Sequence, residues 1–538
     1  MFDFAKKDIG TDHIENASPS NSIDKNIEHA VVEETIDDYI YLDKPFYKYW
    51  FFNLLHWYIF VNTLSSTSNG YDGSLLNGLQ IISHWRDKMG TPTGAVLGAL
   101  ANGAVFGGFA SFALASWFSD RFGRKPAILI GQVISILGAI LQGVSTNYGF
   151  FLAARIILGF GTGFTAVASP CLISELAYPK YRDTATSSYN NFWYLGSTIA
   201  AWVTYGTHTM NSNHAWRIPS YLQGAIPLFQ IVCILISMPE SPRFLVSKGK
   251  VDQARAIIRK LHTGDDYSEK ATAFVEFELK EIQAALEMEK INANSNYMDF
   301  IKFPTYRKRL FLVVFTGCFM QLSGNGLVSY YLNKVLDTIG YTEAKKQLQI
   351  NGCLMIYNLV LCWCLTSVVH LFRRRTLFLS SAIWMLICYV LWTILSARFA
   401  ISGFTDNGLA KAVLAFIFLY YLGYNAGCNV LPFLFTSEVL PYSHRAKGLN
   451  VLNLTINTTL IYNGFVNPIA MDAIQWKYYI VYCCILAVET VVIFFFFVET
   501  SGYSLEEVAR VFGDDPSQVM PHGVAVSEKS SLENKESV

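Results

Sequence analysis

The sequence predicts an all-α membrane protein, with twelve transmembrane helices in two six-helix repeats and shorter helices between the repeats. The first reason is composition, since 52% of the 538 residues are apolar and only 15% are charged, against about 25% charged in soluble domains. The second is charge distribution, because 50 of the 82 charged residues lie in residues 1–49, 240–308 and 499–538. The third is a loop motif that occurs once in each half of the chain.

The composition also argues against several classes of protein. Basic and acidic residues balance at 41 each, which disfavours a nucleic-acid-binding domain, and the high apolar content disfavours a disordered chain. All ten cysteines fall within or beside apolar stretches, so we interpret them as small hydrophobic residues rather than disulfides or zinc ligands. The polar segments contain no pattern typical of an enzyme, and we expect no metal and no cofactor.

Twelve apolar stretches can be followed along the chain, six before the charged central segment and six after it. Because backbone amides in lipid must be paired within their own segment, stretches of this length are expected to be helices. In the first half they centre on 51–72, 95–117, 127–145, 149–170, 187–206 and 219–238, and in the second half on 309–333, 350–371, 377–398, 411–435, 448–470 and 476–498.

These stretches divide the chain into five parts. Residues 50–238 and 309–498 are the two predicted six-helix bundles, and residues 239–308 form a predicted helical linker. Within the linker, the apolar side chains of 251, 254, 258 and 261 share one face of a helix, as expected for a structural collar. Residues 1–49 and 499–538 are predicted to be disordered tails. The first tail is polar and acidic and has no cleavable signal pattern, so the first span is expected to direct insertion.

The basic residues predict the orientation. The short loops on the side of the linker contain ten Lys or Arg, and those on the other side contain nine. These nearly equal numbers do not determine the orientation. The linker adds 13 more between Arg243 and Arg309, and Lys44 and Lys48 precede the first span. The positive-inside rule therefore places both termini in the cytoplasm of a multi-pass plasma-membrane protein.

An internal repeat supports the two-bundle arrangement. In each half an acid is followed seven positions later by an arginine, with a proline between: Glu175, Pro179 and Arg182, then Glu438, Pro441 and Arg445. Parallel repeats of this kind build a class of transporters whose substrate site lies near the midplane between the halves.

The chain resembles the sugar porters of the major facilitator superfamily, most closely the fungal branch of lactose and cellodextrin permeases. The resemblance extends from about residue 50 to residue 508. It rests on six motifs in order: residues 120–125 (DRFGRK), Arg155, residues 170–182, residues 239–243 (PESPR), residues 321–324 with Tyr330 and Tyr331, and residues 499–506. It implies the fold of that superfamily, alternating access, a neutral sugar as substrate and a functional monomer in the lipid bilayer.

Ionisable residues inside a span each cost about 2.5–3.5 kcal/mol to insert, and three stand out in the predicted spans: Asp72, Arg155 and Glu489. An Asp and an Arg on different spans can neutralise each other, and protonation of the Asp would release the Arg. The resemblance implies the same role, because proton-coupled sugar porters have Asp where facilitators commonly have an amide. We expect proton symport, with a purely structural pair as the alternative. Glu489 is interpreted as a silent, satisfied residue in preference to a second proton carrier.

A neutral polyol is best bound by neutral hydrogen-bonding groups and aromatic faces. Candidates of this kind are Gln321, Asn325, Tyr330, Tyr331, Asn358, Phe433 and Asn457. Gln321 and Asn325, four positions apart, share a face of a glycine-interrupted helix. Compared with the hexose carriers, Met320 replaces a glutamine and Phe433 a tryptophan, so the site is expected to be roomier. The sequence does not distinguish between lactose, cellobiose, a hexose and other neutral sugars as the substrate.

A set of charged residues at the ends of spans is predicted to form a cytoplasmic latch, which closes when the cavity opens outward. These latch residues are Asp120, Arg121, Arg124, Glu175, Arg182, Glu240, Arg243, Arg373, Glu438 and Arg445. The alternative is that they only set topology. The second half lacks an acid at the place of Asp120, so its part of the latch is expected to be weaker.

Two other functions of the same fold stay open. A facilitated-diffusion uniporter would differ in being insensitive to a protonophore. A transport-inactive sugar receptor would signal through its tail, for which the 40 residues from 499 to 538 are short.

Overall fold

The computed structural model describes residues 48–292, 296–403, 406–429, 431–501 and 512. Within this part of the chain the regular structure is helical, and strands are absent. The predicted tails, 1–49 and 499–538, lie almost wholly outside the described residues.

Twelve spans follow from the helices in chain order, which confirms the predicted fold class. Among the described residues, nine segments are long and apolar enough to cross a membrane, and the last of them, Lys447–Phe496, contains two helices. Two further long helices, Trp50–Leu79 and Arg182–Thr207, are rich in Ser, Thr and Asn. Spans 1 to 6 are Trp50–Leu79, Gly94–Phe122, Arg124–Val144, Tyr148–Leu176, Arg182–Thr207 and His214–Ser237. Spans 7 to 12 are Pro304–Thr338, Ala344–Val368, Arg374–Ile401, Asn407–Val439, Tyr442–Ile474 and Tyr478–Phe496.

Shorter helices connect the spans. One of them, Ser83–Lys88, follows span 1. The linker contains the helices Pro242–Ser247, Val251–Ile258, Glu269–Asn292 and Asp299–Lys302. The linker helices bury Ala254, Ile258 and Val275 in one core with the near ends of spans 1 and 4. We call the membrane face that holds the linker the linker side, and the opposite face the far side.

Three spans are interrupted, each for an identifiable reason. Span 6 breaks at residues 223–224, where Pro227 cannot donate a backbone hydrogen bond to the carbonyl of residue 223. Span 7 breaks before Asn325, because Gly324 adopts a φ of 104°, a left-handed conformation that favours glycine. Span 10 widens into a π-helical turn over Asn425–Asn429, a feature common at functional sites.

Glycines allow the helices of the first half to pack closely. A Cβ atom at Gly70 of span 1 would lie 1.9 Å from the carbonyl oxygen of Trp193 in span 5. A Cβ atom at Gly159 of span 4 would lie 2.0 Å from the carbonyl oxygen of Ala104 in span 2. Small residues at such crossings let helix backbones approach, and this brings spans 1, 2, 4 and 5 around a common interior.

The two halves touch mainly on the far side. Gln80 donates to the carbonyl of Tyr330 (3.0 Å), Asn77 to Asn351 (3.2 Å) and Asn102 to the carbonyl of Ile461 (3.0 Å). The amide of Gly94, which begins span 2, donates to Asp472 (3.2 Å), and Gly98 lies against the backbone of Gly464. Spans 5 and 8 also touch nearer the linker side, where Thr366 donates to Asn191 (3.3 Å). The far side is therefore closed.

Candidate functional site

The two buried charges of opposite sign in the first half are in direct contact. Arg155 Nη1 donates to Asp72 Oδ1 at 3.0 Å, and Nη2 lies 3.5 Å from Oδ2. Asp72 is 6% exposed and Arg155 2% exposed. Removing one member of a buried ion pair leaves an uncompensated charge and costs about 3–5 kcal/mol, so each residue stabilises the other in this position.

Three further groups surround this pair. Gln223, at the break of span 6, donates its Nε2 to Asp72 Oδ1 at 2.9 Å. Arg155 Nε donates to the carbonyl oxygen of Leu100 in span 2 at 2.9 Å. Tyr330 of span 7 interacts electrostatically with both Asp72 and Arg155. Four spans of the first half and one of the second therefore meet at this carboxyl group.

A cavity of about 260 Å³ lies between the two halves. The first half contributes Ser66, Asn69, Ala166, Tyr189, Asn190, Trp193 and Tyr194, and the second half contributes Met320, Gln321, Asn325, Ser329, Tyr330, Tyr424, Asn429, Phe433 and Leu460. Its lining is neutral, with amides, hydroxyls and aromatic rings. Such groups suit a polyol, whereas a charged ligand would require a counter-ion.

The break in span 7 positions the second-half wall of the cavity. Asn325 follows Gly324 directly and donates its Nδ2 to the hydroxyl of Tyr424 in span 10 at 2.9 Å. Ser329 donates to Asn325 Oδ1 at 2.8 Å. A Cβ atom at residue 324 would lie 2.1 Å from the hydroxyl of Tyr389 in span 9, so spans 7 and 9 can pack in this way only around glycine.

Four of the seven predicted sugar-binding residues line this cavity, namely Gln321, Asn325, Tyr330 and Phe433. The other three lie elsewhere. Tyr331 is fully buried and donates to the carbonyl of Gly464 at 2.7 Å. Asn358 is buried and accepts from Asn425 at 2.9 Å. Asn457 donates to the carbonyl of Asn453 at 2.9 Å and lines a second, mostly apolar cavity between spans 2 and 11.

The sequence analysis did not identify the first-half wall of the cavity. Trp193, Tyr189 and Asn190 of span 5 line it, and Trp193 packs its ring on Gly73 of span 1. The signal was present as a run of amide and aromatic residues, 189–194, in a predicted span. Asn69 Oδ1 and the Tyr189 hydroxyl are buried without a hydrogen-bond partner in the described part of the chain, which leaves hydrogen-bonding capacity at the cavity wall.

Four latch residues of the first half, Asp120, Arg124, Glu175 and Glu240, form one cluster on the linker side. Arg124 contacts Glu175 through Nε (3.1 Å) and Nη2 (3.2 Å), and contacts Asp120 at 3.3 Å. Glu240 accepts the backbone amides of Arg124 (3.0 Å) and Lys125 (3.2 Å). Burial raises the pKa of Glu240, while these backbone donors act in the opposite direction by stabilising the ionised carboxylate.

The second half repeats this arrangement with fewer contacts. Arg374, which begins span 9, approaches Glu438 at 3.4 Å, and its backbone amide donates to Glu499 at 2.9 Å. Thr500 also donates to Glu438, at 2.6 Å. Glu240 and Glu499 thus hold the first turns of spans 3 and 9 in the same way, as expected for duplicated halves.

The remaining latch residues have separate positions. Arg243 pairs with Glu289 of the linker helix Glu269–Asn292. Arg121 and Arg373 are exposed, and Arg182 and Arg445 are half-buried at the starts of spans 5 and 11. The pairs made by Arg124 and Arg374 each lie within one half, so a latch between the halves stays a prediction.

The comparison with known families decides what kind of protein this is. The model of the family described as "Sugar (and other) transporter" matches residues 58–512, most of the chain. The chain belongs to the sugar transporter family. It is therefore a multi-pass membrane transporter of the major facilitator superfamily, and the predicted family membership is confirmed.

Relatives of this sugar transporter family member come from fungi and plants. It is 29% identical over 472 residues to the MFS-type transporter oryC of Aspergillus oryzae, covering 84% of both chains. It is 28% identical over 430 residues to the low-affinity glucose transporter HXT3 of Saccharomyces cerevisiae, covering 78% of this chain and 73% of HXT3. With sugar transport protein 10 of Arabidopsis thaliana it shares 28% identity over 413 residues, covering 75% and 76% of the two chains.

Solved structures share the fold of this sugar transporter family member. The inward-open xylose transporter XylE of E. coli matches with a TM-score of 0.70 at 21% identity, over 85% of this chain and 99% of XylE. A partially occluded inward-open form of XylE matches with a TM-score of 0.69 at 20% identity, over 84% and 99% of the two chains.

Proposed function

We propose that this transporter is a proton-coupled symporter that moves a neutral mono- or disaccharide across the plasma membrane by alternating access. The observation that supports this most directly is the buried contact of 3.0 Å between Arg155 and Asp72. A buried acid that can exchange its ion pair for a proton has two states of different net charge. Each state favours a different arrangement of the helices that hold the pair.

The position of the pair supports coupling to the substrate. Tyr330 lines the sugar cavity and interacts electrostatically with Asp72 and Arg155. Its backbone carbonyl accepts from Gln80, at the far-side end of span 1. Tyr330 thus lines the cavity, lies near the proposed proton site and accepts a hydrogen bond that joins the two halves on the far side. A change at any of the three affects the packing of the same segment of span 7.

The driving force is adequate for accumulation. One charge that crosses ~100 mV supplies about 2.3 kcal/mol, and one pH unit adds about 1.4 kcal/mol. The sum would support a few-hundredfold accumulation of a neutral solute at one proton per sugar.

The orientation follows from the same proposal. The basic residues of the linker favour a cytoplasmic linker side with both termini in the cytoplasm. The closed far side then corresponds to an inward-facing carrier. In this orientation the latch residues lie on the cytoplasmic face, where the proposed latch would join the halves only in the outward-facing state.

Uptake of a panel of labelled mono- and disaccharides into whole cells tests the proposal. Wild-type protein should concentrate at least one of the sugars, alkalinise the medium and lose accumulation when a protonophore is added. Asp72→Asn should still exchange that sugar across the membrane but should neither concentrate it nor take up protons. Equilibration of the sugar without accumulation in the wild type would identify a uniporter, whereas accumulation that survives both the protonophore and Asp72→Asn would identify another driving ion. The absence of flux for every sugar in purified proteoliposomes would favour a receptor.

A further inference from the structure

We propose that Gln223 is a positioning residue for proton coupling, and that its side-chain amide takes opposite orientations in the two protonation states of Asp72. With Asp72 ionised, the amide nitrogen donates to the carboxylate. With Asp72 protonated, the amide turns over and its oxygen accepts the new O–H. This inference rests on the proposed proton coupling and adds the residue that stabilises both states.

The contacts of Asp72 indicate where the proton binds. Oδ1 receives two hydrogen bonds, from Arg155 Nη1 at 3.0 Å and from Gln223 Nε2 at 2.9 Å. Oδ2 is approached only by Arg155 Nη2, at 3.5 Å, among the described residues. Since Gln223 faces Oδ1, the protonated form that its amide can stabilise carries the proton on Oδ1, on the side of the amide. The carboxyl group then becomes a hydrogen-bond donor and needs an acceptor.

Gln223 offers that acceptor. Its Oε1 atom is buried and has no hydrogen-bond partner among the described residues, and the residue as a whole is only 2% exposed. An unpaired buried carbonyl oxygen costs about 1–3 kcal/mol. A half-turn of the amide would pair this oxygen with the protonated carboxyl, so the cost present in the ionised state is removed in the protonated one.

The break in span 6 explains why this side chain can serve both states. Residue 223 lies between the helices His214–Leu222 and Ala225–Ser237. Pro227 leaves the carbonyl of residue 223 without its usual helical donor, and Gly224 follows with no side chain. The side chain of Gln223 therefore projects from a helix end, where a rotation about its terminal bond moves no helix.

The other groups around Asp72 allow the exchange. Arg155 of span 4 and Tyr330 of span 7 are the charged or titratable groups described near it. When protonation weakens the ion pair, Arg155 keeps the bond from its Nε to the carbonyl of Leu100 at 2.9 Å. The proton comes from water on one side and returns to water on the other, and Gln223 itself neither gains nor loses one.

Infrared titration of the purified protein in lipid tests the proposal without any sugar. The carboxylic-acid C=O band that Asp72→Asn removes reports protonation of Asp72. In Gln223→Leu the ionised form loses a charge-assisted hydrogen bond and the protonated form a weaker neutral one, so the midpoint of this band should move by about one pH unit toward alkaline pH. In Gln223→Glu a second carboxylate beside Asp72 should move it in the same direction.

A matched control comes from the same span. Gln230 is also fully buried, and it bonds to Ser65 and Gln132 rather than to Asp72. Gln230→Leu should leave the midpoint within about 0.3 pH units of wild type, since the loss of a buried amide elsewhere does not touch the carboxyl. Equal shifts in the Gln223 and Gln230 variants would show a general structural effect and overturn the proposal, as would an unchanged midpoint in both Gln223 variants.

The sugar experiment separates this inference from the proposed function. If wild-type protein accumulates no sugar of the panel under a pH gradient, the proposed symport fails. If it does accumulate one while the midpoint of Asp72 is the same in wild type and in both Gln223 variants, symport stands and the role of Gln223 is refuted. A functional readout should agree with the infrared one: the pH at which accumulation is half-maximal should shift in Gln223→Leu in the same direction as the band.

Discussion

His262 and Glu278 form a buried pair that joins two helical segments of the linker, and His262 Nδ1 lies 2.8 Å from Glu278 Oε2. The other ring nitrogen of His262 lies 3.1 Å from the carbonyl oxygen of Leu176, the last residue of span 4. Both ring nitrogens thus face acceptors, and only a doubly protonated ring can donate to both. The pair ties the linker to the end of the span that contains Glu175 and Arg155.

Because of this pair, we expect the free energy of unfolding to depend on pH. Burial, the largest single effect on His262, favours the neutral ring, but attraction and hydrogen bonding from Glu278 and the carbonyl of Leu176 outweigh it, and the net pKa is raised. The pair should therefore stabilise the fold fully below about pH 6.5, the unfolded-state value, and less as pH rises through the higher folded-state pKa. His262→Gln should lower stability by about 2 kcal/mol or more at pH 6.

Thermal unfolding of the purified protein between pH 6 and pH 9 measures this effect. The difference in Tm between wild type and His262→Gln should shrink as pH rises. The exposed His214 supplies the control, because His214→Gln should track wild type throughout. A difference that is constant with pH would mean that the ring is not charged in the folded protein.

A second prediction concerns the ion pair in the first half. Arg155→Ala leaves the buried Asp72 without its cation, so stability should fall by about 3–5 kcal/mol. The double variant Asp72→Asn/Arg155→Gln removes both charges and should recover most of this loss. Tm and the yield of monodisperse protein check both variants. A double variant as unstable as Arg155→Ala would show that packing of Arg155, rather than its charge, holds the site.

A third prediction concerns the break in span 7. Gly324→Ala combines a left-handed backbone with a Cβ atom 2.1 Å from the Tyr389 hydroxyl, so sugar exchange should fall more than tenfold, since a non-glycine residue there costs about 1–2 kcal/mol before any clash. Gly206 in span 5 has open space around its Cβ position. Gly206→Ala should retain wild-type exchange, and equal loss in both variants would contradict the prediction.

A fourth prediction concerns the first-half wall of the cavity. Trp193→Ala should weaken sugar binding by roughly fivefold, because a lost aromatic contact is worth about 1 kcal/mol, and the loss should appear in KM. Trp117, which is 59% exposed on span 2, is the matched control. Counterflow at a series of sugar concentrations gives KM for both alanine variants, and an unchanged KM in Trp193→Ala would remove this residue from the binding site.

A fifth prediction compares the two charge clusters on the linker side. Arg124 makes two contacts with Glu175, at 3.1 and 3.2 Å, whereas Arg374 approaches Glu438 at 3.4 Å. Arg124→Gln should therefore reduce Tm more than Arg374→Gln. Because the pairs are largely buried, the difference should persist at high salt. A larger reduction of Tm in Arg374→Gln than in Arg124→Gln would contradict this prediction.

The helices were predictable from sequence because a bilayer leaves an apolar stretch few choices. Each span must pair its own amides, so hydrophobic length alone gave the order and number of helices. The contact between Asp72 and Arg155 was predictable for a related reason, since buried opposite charges on neighbouring spans stabilise one another. What hydrophobic length could not give is where a span breaks, because Gln223 and Gly324 lie inside continuous apolar runs.

Whether a neutral polar side chain within a span points toward the cavity was not predictable from the sequence. The side chain of Asn457 donates a hydrogen bond to the backbone carbonyl four residues earlier, so an amide side chain within a span need not face the cavity. Tyr331 sits at a kink with φ −136° and ψ 32°, and its ring is buried among the helices of the second half. Gln223 and Trp193 resemble ordinary packing residues until the neighbouring helices are placed around them.

The far-side contacts have a consequence for how the transporter responds to its surroundings. They consist of amide hydrogen bonds and the approach of Gly98 to Gly464, and the charged groups described between the halves include Asp472, which accepts from Gly94, and Arg86, which lies near Asp337. Mobile ions screen charge pairs over about 8 Å in physiological salt, but they do little to amide bonds or close-packed glycine. Closure of this face should therefore change little between dilute and strongly saline solutions, with the Arg86–Asp337 contact as the part that salt weakens.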